Sequence, residues 1–288
     1  MRTRFNYEEA FSRNLGWITK EEQEILRNSR VAIGGLGGVG GSHALTLARL
    51  GIANFTISDF DKFELPNFNR QAGANTSNLN KYKTDVLFNM ILDINPTANI
   101  TILSKGVSKD NILEFLDGVD IYIDGIDFFA FEARELIFDC CHECDIPAIS
   151  AAPLGMGTAF MCFMPGQISF EEYFQMKGKS DLEKALHFLV GFAPSFLHVA
   201  YLVDESYVDL ANHKGPSTAM GCELCAGVIA TQALKILLNR GEVITAPYGL
   251  HFDAYRNKLV KTWRPFGNKN PLQQLLLAFA RRKHNKFI

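Results

Sequence analysis

The 288-residue sequence has no surplus of either charge: 31 acidic against 29 basic residues leave a formal net charge of −2. No global field then favours a polyanion or a lipid surface, so neither DNA nor a membrane is an expected partner. It also lacks an uninterrupted apolar run long enough to span a bilayer. The most apolar stretch, Leu186 to Val203, contains Pro194 and two histidines, and reads as a buried helix pair or a subunit interface. The polar opening MRTRFNYEEAFSRN has no apolar export core, so a cytoplasmic location is expected. Internal repeats and low-complexity linkers are missing too. Cysteine is sparse: Cys140, Cys141, Cys144, Cys162, Cys222 and Cys225. Without an export signal these read as reduced thiols, not a disulfide framework.

What is present is a globular composition, 47% hydrophobic and 21% charged, with enough chain to bury a core. RVAIGG reads as a buried strand and GSHALTLARLG as a helix closed by Gly51. NFTISDFD, NITIL, DIYIDGID, PAISAA and GTAFMCFMPG read as further strands. KTDVLFNMILDINP and the stretch from Phe131 to Cys144 read as helices between them. This alternation predicts an α/β, Rossmann-like, mainly parallel sheet with helices on both faces. After Gly166 the rhythm breaks, and residues 167–219 read as an irregular or helical insertion. GCELCAGVIATQALKILLNRG reads as a strong helix capped by Gly241. Two strands around YRN and a terminal helix with a basic end, ARRKHNK, follow. The expected organisation is a single domain over 1–288. It has an N-terminal helical segment (1–29), a nucleotide-binding core (30–166), the insertion (167–219), and a C-terminal helix, antiparallel strands and tail (220–288).

Between Gly34 and Gly41 stand six glycines in eight positions, GGLGGVGG. Gly35, Gly37 and Gly40 give G-x-G-x-x-G after a strand and before a helix, the setting this motif needs to cradle phosphates. A helix N-terminus there offers free N–H groups to an anion. Asp59, 24 residues after Gly35, is placed to accept from ribose hydroxyls. To this point NAD, FAD and ATP fit equally. The next stretch adds Asp61, Asn67, Asn69, Arg70 and Gln71, followed by Lys81 and Lys83 at a helix start. A guanidinium binds phosphate oxygens through two parallel N–H groups. Asp124 and Asp127 end a strand at the carboxyl edge of the sheet, and a lone carboxylate beside a triphosphate suits magnesium.

Together these residues resemble the ThiF/MoeB/HesA family, the bacterial relatives of ubiquitin-activating enzymes. The resemblance rests on Gly35-Leu-Gly37-Gly38-Val-Gly40, Asp59-Phe-Asp61, Pro66-Asn67-Phe68-Asn69-Arg70-Gln71, Lys83 and Asp124-Gly-Ile-Asp127-Phe128. It covers roughly residues 7–165 and more loosely the helix 221–240 and the strands after it. It implies ATP and magnesium as cofactors and adenylation of a carboxylate, giving an acyl-adenylate and pyrophosphate. Arg70, Lys83, Asp127 and Arg13 become the implied catalytic residues, with Asp127 holding magnesium. Gly35, Gly37, Gly38, Gly40, Asp59, Asp61, Asn67 and Gln71 become the implied nucleotide-binding residues. The segment FSRNLGW is similar to one whose arginine reaches the ATP of the other subunit, so the resemblance implies a homodimer with Arg13 acting in trans.

The sequence departs from the family in three places. Pro66 replaces a serine, and Phe128 replaces an asparagine. The next arginine, Arg134, comes seven residues after Asp127 instead of five. The CxxC pairs that hold zinc in many relatives are missing from PGQISFEEYF and KTWRPFGNKNP, so no zinc is expected. Cys140 and Cys141 read as core positions. Cys222 and Cys225 stand at a helix start, which lowers a thiol pKa; one of them is a candidate nucleophile, and core packing is the alternative reading. His187, His198 and His213 read as structural. The implied substrate is a carboxylate on a protein or peptide, such as a ubiquitin-like sulfur carrier or a precursor peptide. A tRNA threonylcarbamoyladenosine dehydratase-like activation is an alternative. A NAD- or FAD-dependent oxidoreductase and a catalytically inactive scaffold are rivals that leave Arg70, Lys83 and Asp127 without a role.

Overall fold

A computed structural model describes residues 5–210 and 212–284. Eight strands form one sheet in the order β3-β2-β1-β4-β5-β6-β7-β8. The strands are β1 (Arg30–Gly34), β2 (Asn54–Ser58), β3 (Asn99–Leu103), β4 (Ile121–Asp124), β5 (Ala148–Leu154), β6 (Gly157–Phe163), β7 (Tyr248–Asp253) and β8 (Lys258–Trp263). β1 to β5 are parallel; β6, β7 and β8 continue the same sheet antiparallel. The α/β architecture with C-terminal antiparallel strands thus agrees with the sequence pattern.

The helices are α1 (Tyr7–Ala10), α2 (Lys20–Asn28), α3 (Gly38–Leu50), α4 (Lys83–Ile94), α5 (Ile112–Phe115), α6 (Phe131–Glu143), α7 (Phe170–Phe174), α8 (Asp181–Phe192), α9 (Ala219–Leu237) and α10 (Pro271–His284). Their placement follows from the alternation of side chains along each strand. Val31 and Ile33, Ile121 and Ile123, and Ile149 and Ala151 point to one face, where Leu47 of α3, Leu87 of α4 and Ile229 of α9 complete a core. Ala32, Tyr122, Met161 and Phe163 point to the other, against Phe138 of α6, Phe170 of α7 and Phe188 of α8.

Local signals set most boundaries. Gly51 takes the left-handed conformation that closes α3, as glycine does most readily. Thr19 and Glu22 form a capping box at α2, and α4 ends before the Asn95-Pro96 step. Two readings shift. Helix α9 stops at Leu237, and Asn239 is already left-handed before Gly241, so Gly241 is not its cap. The apolar stretch 186–203 is not one helix pair: it is the end of α8, a turn at Pro194 and a 3-10 helix at Leu197–Tyr201. Among the described residues one helix, α9, is long and apolar enough to cross a membrane; it packs against α3, β5 and β6. The basic tail ARRKHNK runs past the described residues after His284; within it, Arg281 pairs with Glu183.

Candidate nucleotide site

The glycine loop lies where β1 ends. The Gly35 amide donates to the Ser58 carbonyl (2.8 Å), and the Gly125 amide donates to the Gly34 carbonyl (2.8 Å). The ends of β1, β2 and β4 are thereby stitched into one floor at the carboxyl edge, where open α/β sheets bind ligands. Gly35 has φ of +81°, a region that side chains resist. A Cβ on Gly40 would strike the Gly35 carbonyl. A Cβ on Gly125 would lie 2.5 Å from that same oxygen and 2.7 Å from Gly40 Cα. Gly35, Gly40 and Gly125 are therefore interlocked. Gly125 was invisible as a loop partner in sequence because its contacts are made across strands. Gly37 and Gly38 are spaced differently. Added Cβ atoms there would meet Gln71 Nε2 at 3.7 Å, and Cys222 Sγ at 3.1 Å and Arg70 Cδ at 3.5 Å. Gln71 and Arg70 thus flank the start of α3.

Asp59 is buried, and its carboxylate organises the loop. Oδ2 accepts from the Leu36 amide (2.7 Å) and Oδ1 from the Asp61 amide (2.8 Å). Burial pushes its carboxyl above the usual range, opposed by nearby Lys83 and by those two N–H groups. Lys83 opens α4 and is 6% exposed; its ammonium lies 2.9 Å from Asp61 Oδ2. Arg70 is half-buried, with Nη1 donating to the Pro66 carbonyl (3.1 Å) and Asn69 Oδ1 (2.9 Å). Asn67 acts locally, its Oδ1 accepting from the Glu64 amide (2.9 Å) to close a 3-10 turn. Gln71 Oε1 is buried without a hydrogen-bond partner, and so is Oγ1 of Thr84, the residue after Lys83. Buried polar atoms are seldom left unpaired, so two unpaired atoms on the segments carrying Arg70 and Lys83 fit a polar ligand. Thr84 carried no signal in sequence.

Asp127 is exposed, and Oδ1 accepts from the Phe129 amide (3.0 Å). It is not the cap of α6, whose N-cap is Ala130. Its loop is held by Arg134, which is 2% exposed. Arg134 Nε meets Asp124 Oδ2 (2.9 Å), and its Nη groups donate to the carbonyls of Ile126, Asp127 and Phe128. Arg134 therefore acts as an internal brace of the Asp127 loop. Asp124, also hydrogen-bonded by Ser150 (2.6 Å), is its counter-charge. Phe128 packs against Phe131 and Phe188. A magnesium ion prefers one or two carboxylates plus phosphate oxygens and water; the exposed Asp127, two residues from Gly125, fits that need.

Arg13 stands elsewhere. It is exposed in the 3-10 turn Ser12–Asn14. The adjacent Asn14 donates to the carbonyl of Leu50 (3.0 Å), at the far end of α3. At 1.5 Å per residue, that end is about 18 Å from Gly38. Arg13 is not brought to the glycine loop of its own chain. A surface groove of about 510 Å³ lies at this far end, lined in part by Phe11, Leu45, Arg49 and Met90; it is not part of the nucleotide site.

The thiols differ from the expectation of a lowered pKa at the start of α9. Cys222 is fully buried beside Gly38 and Arg70, and burial raises its pKa despite a Ser217 hydrogen bond and the Arg70 charge. Burial raises Cys225 further, and its thiol donates to Thr158 Oγ1 (3.1 Å). At both, burial outweighs the hydrogen bond that would lower the thiol pKa. Cys141 is buried as a core position, whereas Cys140 is half-buried. His187 Nδ1 lies 2.9 Å from the Phe174 carbonyl, and His213 stacks on Phe129 with ring centres 4.6 Å apart. Among the described residues no group of three or more His, Cys, Asp or Glu side chains is arranged to hold a metal ion.

The model of the ThiF family matches residues 11–275. The tRNA threonylcarbamoyladenosine dehydratase of Bacillus subtilis is 37% identical over 142 residues, 49% of this chain and 55% of that protein. The sulfur carrier protein ThiS adenylyltransferase of Escherichia coli is 29% identical over 148 residues, 51% of this chain and 58% of that protein. The matched stretch thus spans little more than half of each relative. Among solved structures, PaaA aligns with a TM-score of 0.66 at 19% identity, covering 91% of this chain and 77% of that one. E. coli MccB with ATP aligns with a TM-score of 0.61 at 19% identity, covering 84% and 65%. At such identity the structures speak for the fold.

Proposed function

The chain belongs to the ThiF family, and on that footing we propose that it is an ATP- and magnesium-dependent adenylyltransferase that activates a carboxylate. The observation that carries the reading is the ring of groups around one loop: the interlocked glycines, Arg70 beside Gly38, buried Lys83, and Asp127 two residues beyond Gly125. A dinucleotide enzyme needs the glycines and Asp59, but has no use for the two cations and the exposed carboxylate.

In this reading the amides at the start of α3 receive phosphate oxygens, and Asp59 keeps the loop in shape while facing the ribose. A carboxylate oxygen of the substrate bonds to the α-phosphorus of ATP; the bond to the bridging oxygen breaks, and pyrophosphate leaves. Negative charge grows on the leaving pyrophosphate, and fixed cations stabilise it most when they need no reorganisation. Arg70 and Lys83 are such cations, each oriented by neighbouring groups. Asp127 would hold the magnesium ion, which neutralises and aligns the phosphates. Arg13 would complete the site only across a homodimer, since it lies at the far end of its own α3.

The substrate carboxylate belongs, in our reading, to a protein or peptide: a ubiquitin-like sulfur carrier or a precursor peptide. The identity to the Bacillus dehydratase supports a second reading, activation of the carboxylate of threonylcarbamoyladenosine in tRNA. Calorimetry separates nucleotide classes first. Magnesium-ATP should bind while NAD, NADP and FAD do not, and Lys83→Ala, Arg70→Ala and Asp127→Ala should weaken it, the last by removing its magnesium dependence. Binding of a dinucleotide in place of ATP would overturn the proposal. Pyrophosphate exchange with a peptide, a carrier-protein C-terminus or modified tRNA then identifies the acceptor.

A further inference from the structure

Asp61 leaves the end of β2 with its backbone fixed on both sides. Its amide donates to Asp59 Oδ1 (2.8 Å), and its carbonyl accepts from the Lys83 amide (2.9 Å). The pairing continues along the chain. Lys62 and Tyr82 form an antiparallel bridge, with Lys62 Nζ 4.6 Å from the centre of the Tyr82 ring, and the Phe63 amide donates to the Lys81 carbonyl (3.0 Å). This short ladder sets Asp61 Oδ2 2.9 Å from Lys83 Nζ. The two side chains differ in environment, Lys83 being 7% exposed and Asp61 53%. A buried ammonium without a counter-charge is costly. A carboxylate that keeps water on its other side supplies the charge without a matching desolvation penalty.

We propose that Asp61 is not a nucleotide ligand but a positioning residue, which holds the Lys83 ammonium so that it meets the triphosphate already oriented. The proposal rests on the reading of the glycine loop as a triphosphate site. A bare carboxylate beside a polyphosphate would repel it, whereas one paired with Lys83 is neutralised. An ammonium has three N–H donors, so Lys83 keeps Asp61 behind it and offers the others forward. The long lysine side chain is ordered before ATP arrives, and its rotamer freedom is not lost in the binding step. The Asp59–Asp61–Lys83 chain of contacts also links the cation to the Leu36 amide in the glycine loop.

The test is a double-mutant cycle on the full chain, read by calorimetry with magnesium-ATP and separately with adenosine. Asp61→Asn should weaken magnesium-ATP about ten-fold, and Lys83→Met at least as much. The double variant should bind at least as well as Lys83→Met alone, because the benefit of Asp61 acts only through the ammonium and, without it, the carboxylate merely repels the polyphosphate. Adenosine affinity should stay unchanged in all three. Asp61→Glu, which keeps the charge but shifts it by a methylene, should lose less than Asp61→Asn; the double variant, which removes both charges, serves if the lone Asn variant does not fold. A loss from Asp61→Asn that persists in the Lys83→Met background would mean a direct contact with the nucleotide or its metal. Weaker adenosine binding would mean a ribose contact. Either overturns the positioning role and leaves the triphosphate reading intact. Wild-type magnesium-ATP affinity in Lys83→Met would overturn both.

Discussion

His43 reports on the burial of α3. It stands on the inner side of the helix that presents the glycine loop, is 0% exposed, and neither ring nitrogen has a hydrogen-bond partner. Desolvation alone lowers its pKa from 6.5 to about 3. In the unfolded chain this imidazole takes up a proton as pH falls below 6.5; in the folded chain it stays neutral until about 3. Between those values the unfolded state binds more protons, so stability falls as pH falls, and it levels off above and below the window. From pH 7 to pH 5 the loss from this one group comes to about 2 kcal/mol. His43→Leu fills a similar volume and removes two unpaired polar atoms. It should stabilise the protein by about 1–3 kcal/mol at pH 7 and shrink the loss between pH 7 and 5 by about 2 kcal/mol. Urea unfolding followed by far-ultraviolet circular dichroism at both pH values, in wild type and variant, measures this. His198 and His251, each lowered to about 4 mainly by burial, keep a residual acid sensitivity in the variant. Equal pH dependence of the two proteins would refute the reasoning, since it would mean that His43 is hydrated or already paired.

Gly40→Ala should abolish magnesium-ATP binding in calorimetry, because its methyl meets the Gly35 carbonyl in the interlocked loop; retained affinity would show that the loop yields. Arg13→Ala and Lys83→Ala should each weaken nucleotide binding alone. If Arg13 acts in trans, equimolar mixing with subunit exchange should restore about a quarter of the sites, the share expected from random pairing in a two-fold dimer. Alkylation by iodoacetamide at pH 8, read by mass spectrometry, should label exposed Cys144 first. Cys141 and Cys225 should resist until the protein unfolds, since burial raises both thiols well above the ordinary value. Rapid labelling of Cys225 would revive it as a nucleophile.

The strand order and the helices α3, α4, α6, α9 and α10 were written plainly in the chain, whereas α5, α7 and α8 were not marked as separate elements. Alternation and near-continuous apolar runs marked β1 to β6, and Gly51 and Asn95-Pro96 marked helix ends, because these signals act within a few residues of themselves. The glycine loop was legible for the same reason: the positive φ of Gly35 is a local demand. Arg70, Lys83 and Asp127 stood out as candidates because their chemistry is in the side chain. Their circumstances did not. Only the packed sheet decided that Gly125 locks against Gly35 and Gly40, and that Asp61 faces Lys83. It likewise decided that Arg134 braces the loop of Asp127, and that Arg13 lies at the wrong end of α3 to serve its own site. The thiols of α9 make the same point: a helix N-terminus argued for a lowered pKa, and burial reversed it. Sequence by itself determined most of the elements and the chemical inventory, because propensity, period and side-chain type are local. Tertiary structure decided partners, burial and reach, because desolvation and hydrogen bonding depend on groups far apart along the chain and close together in space.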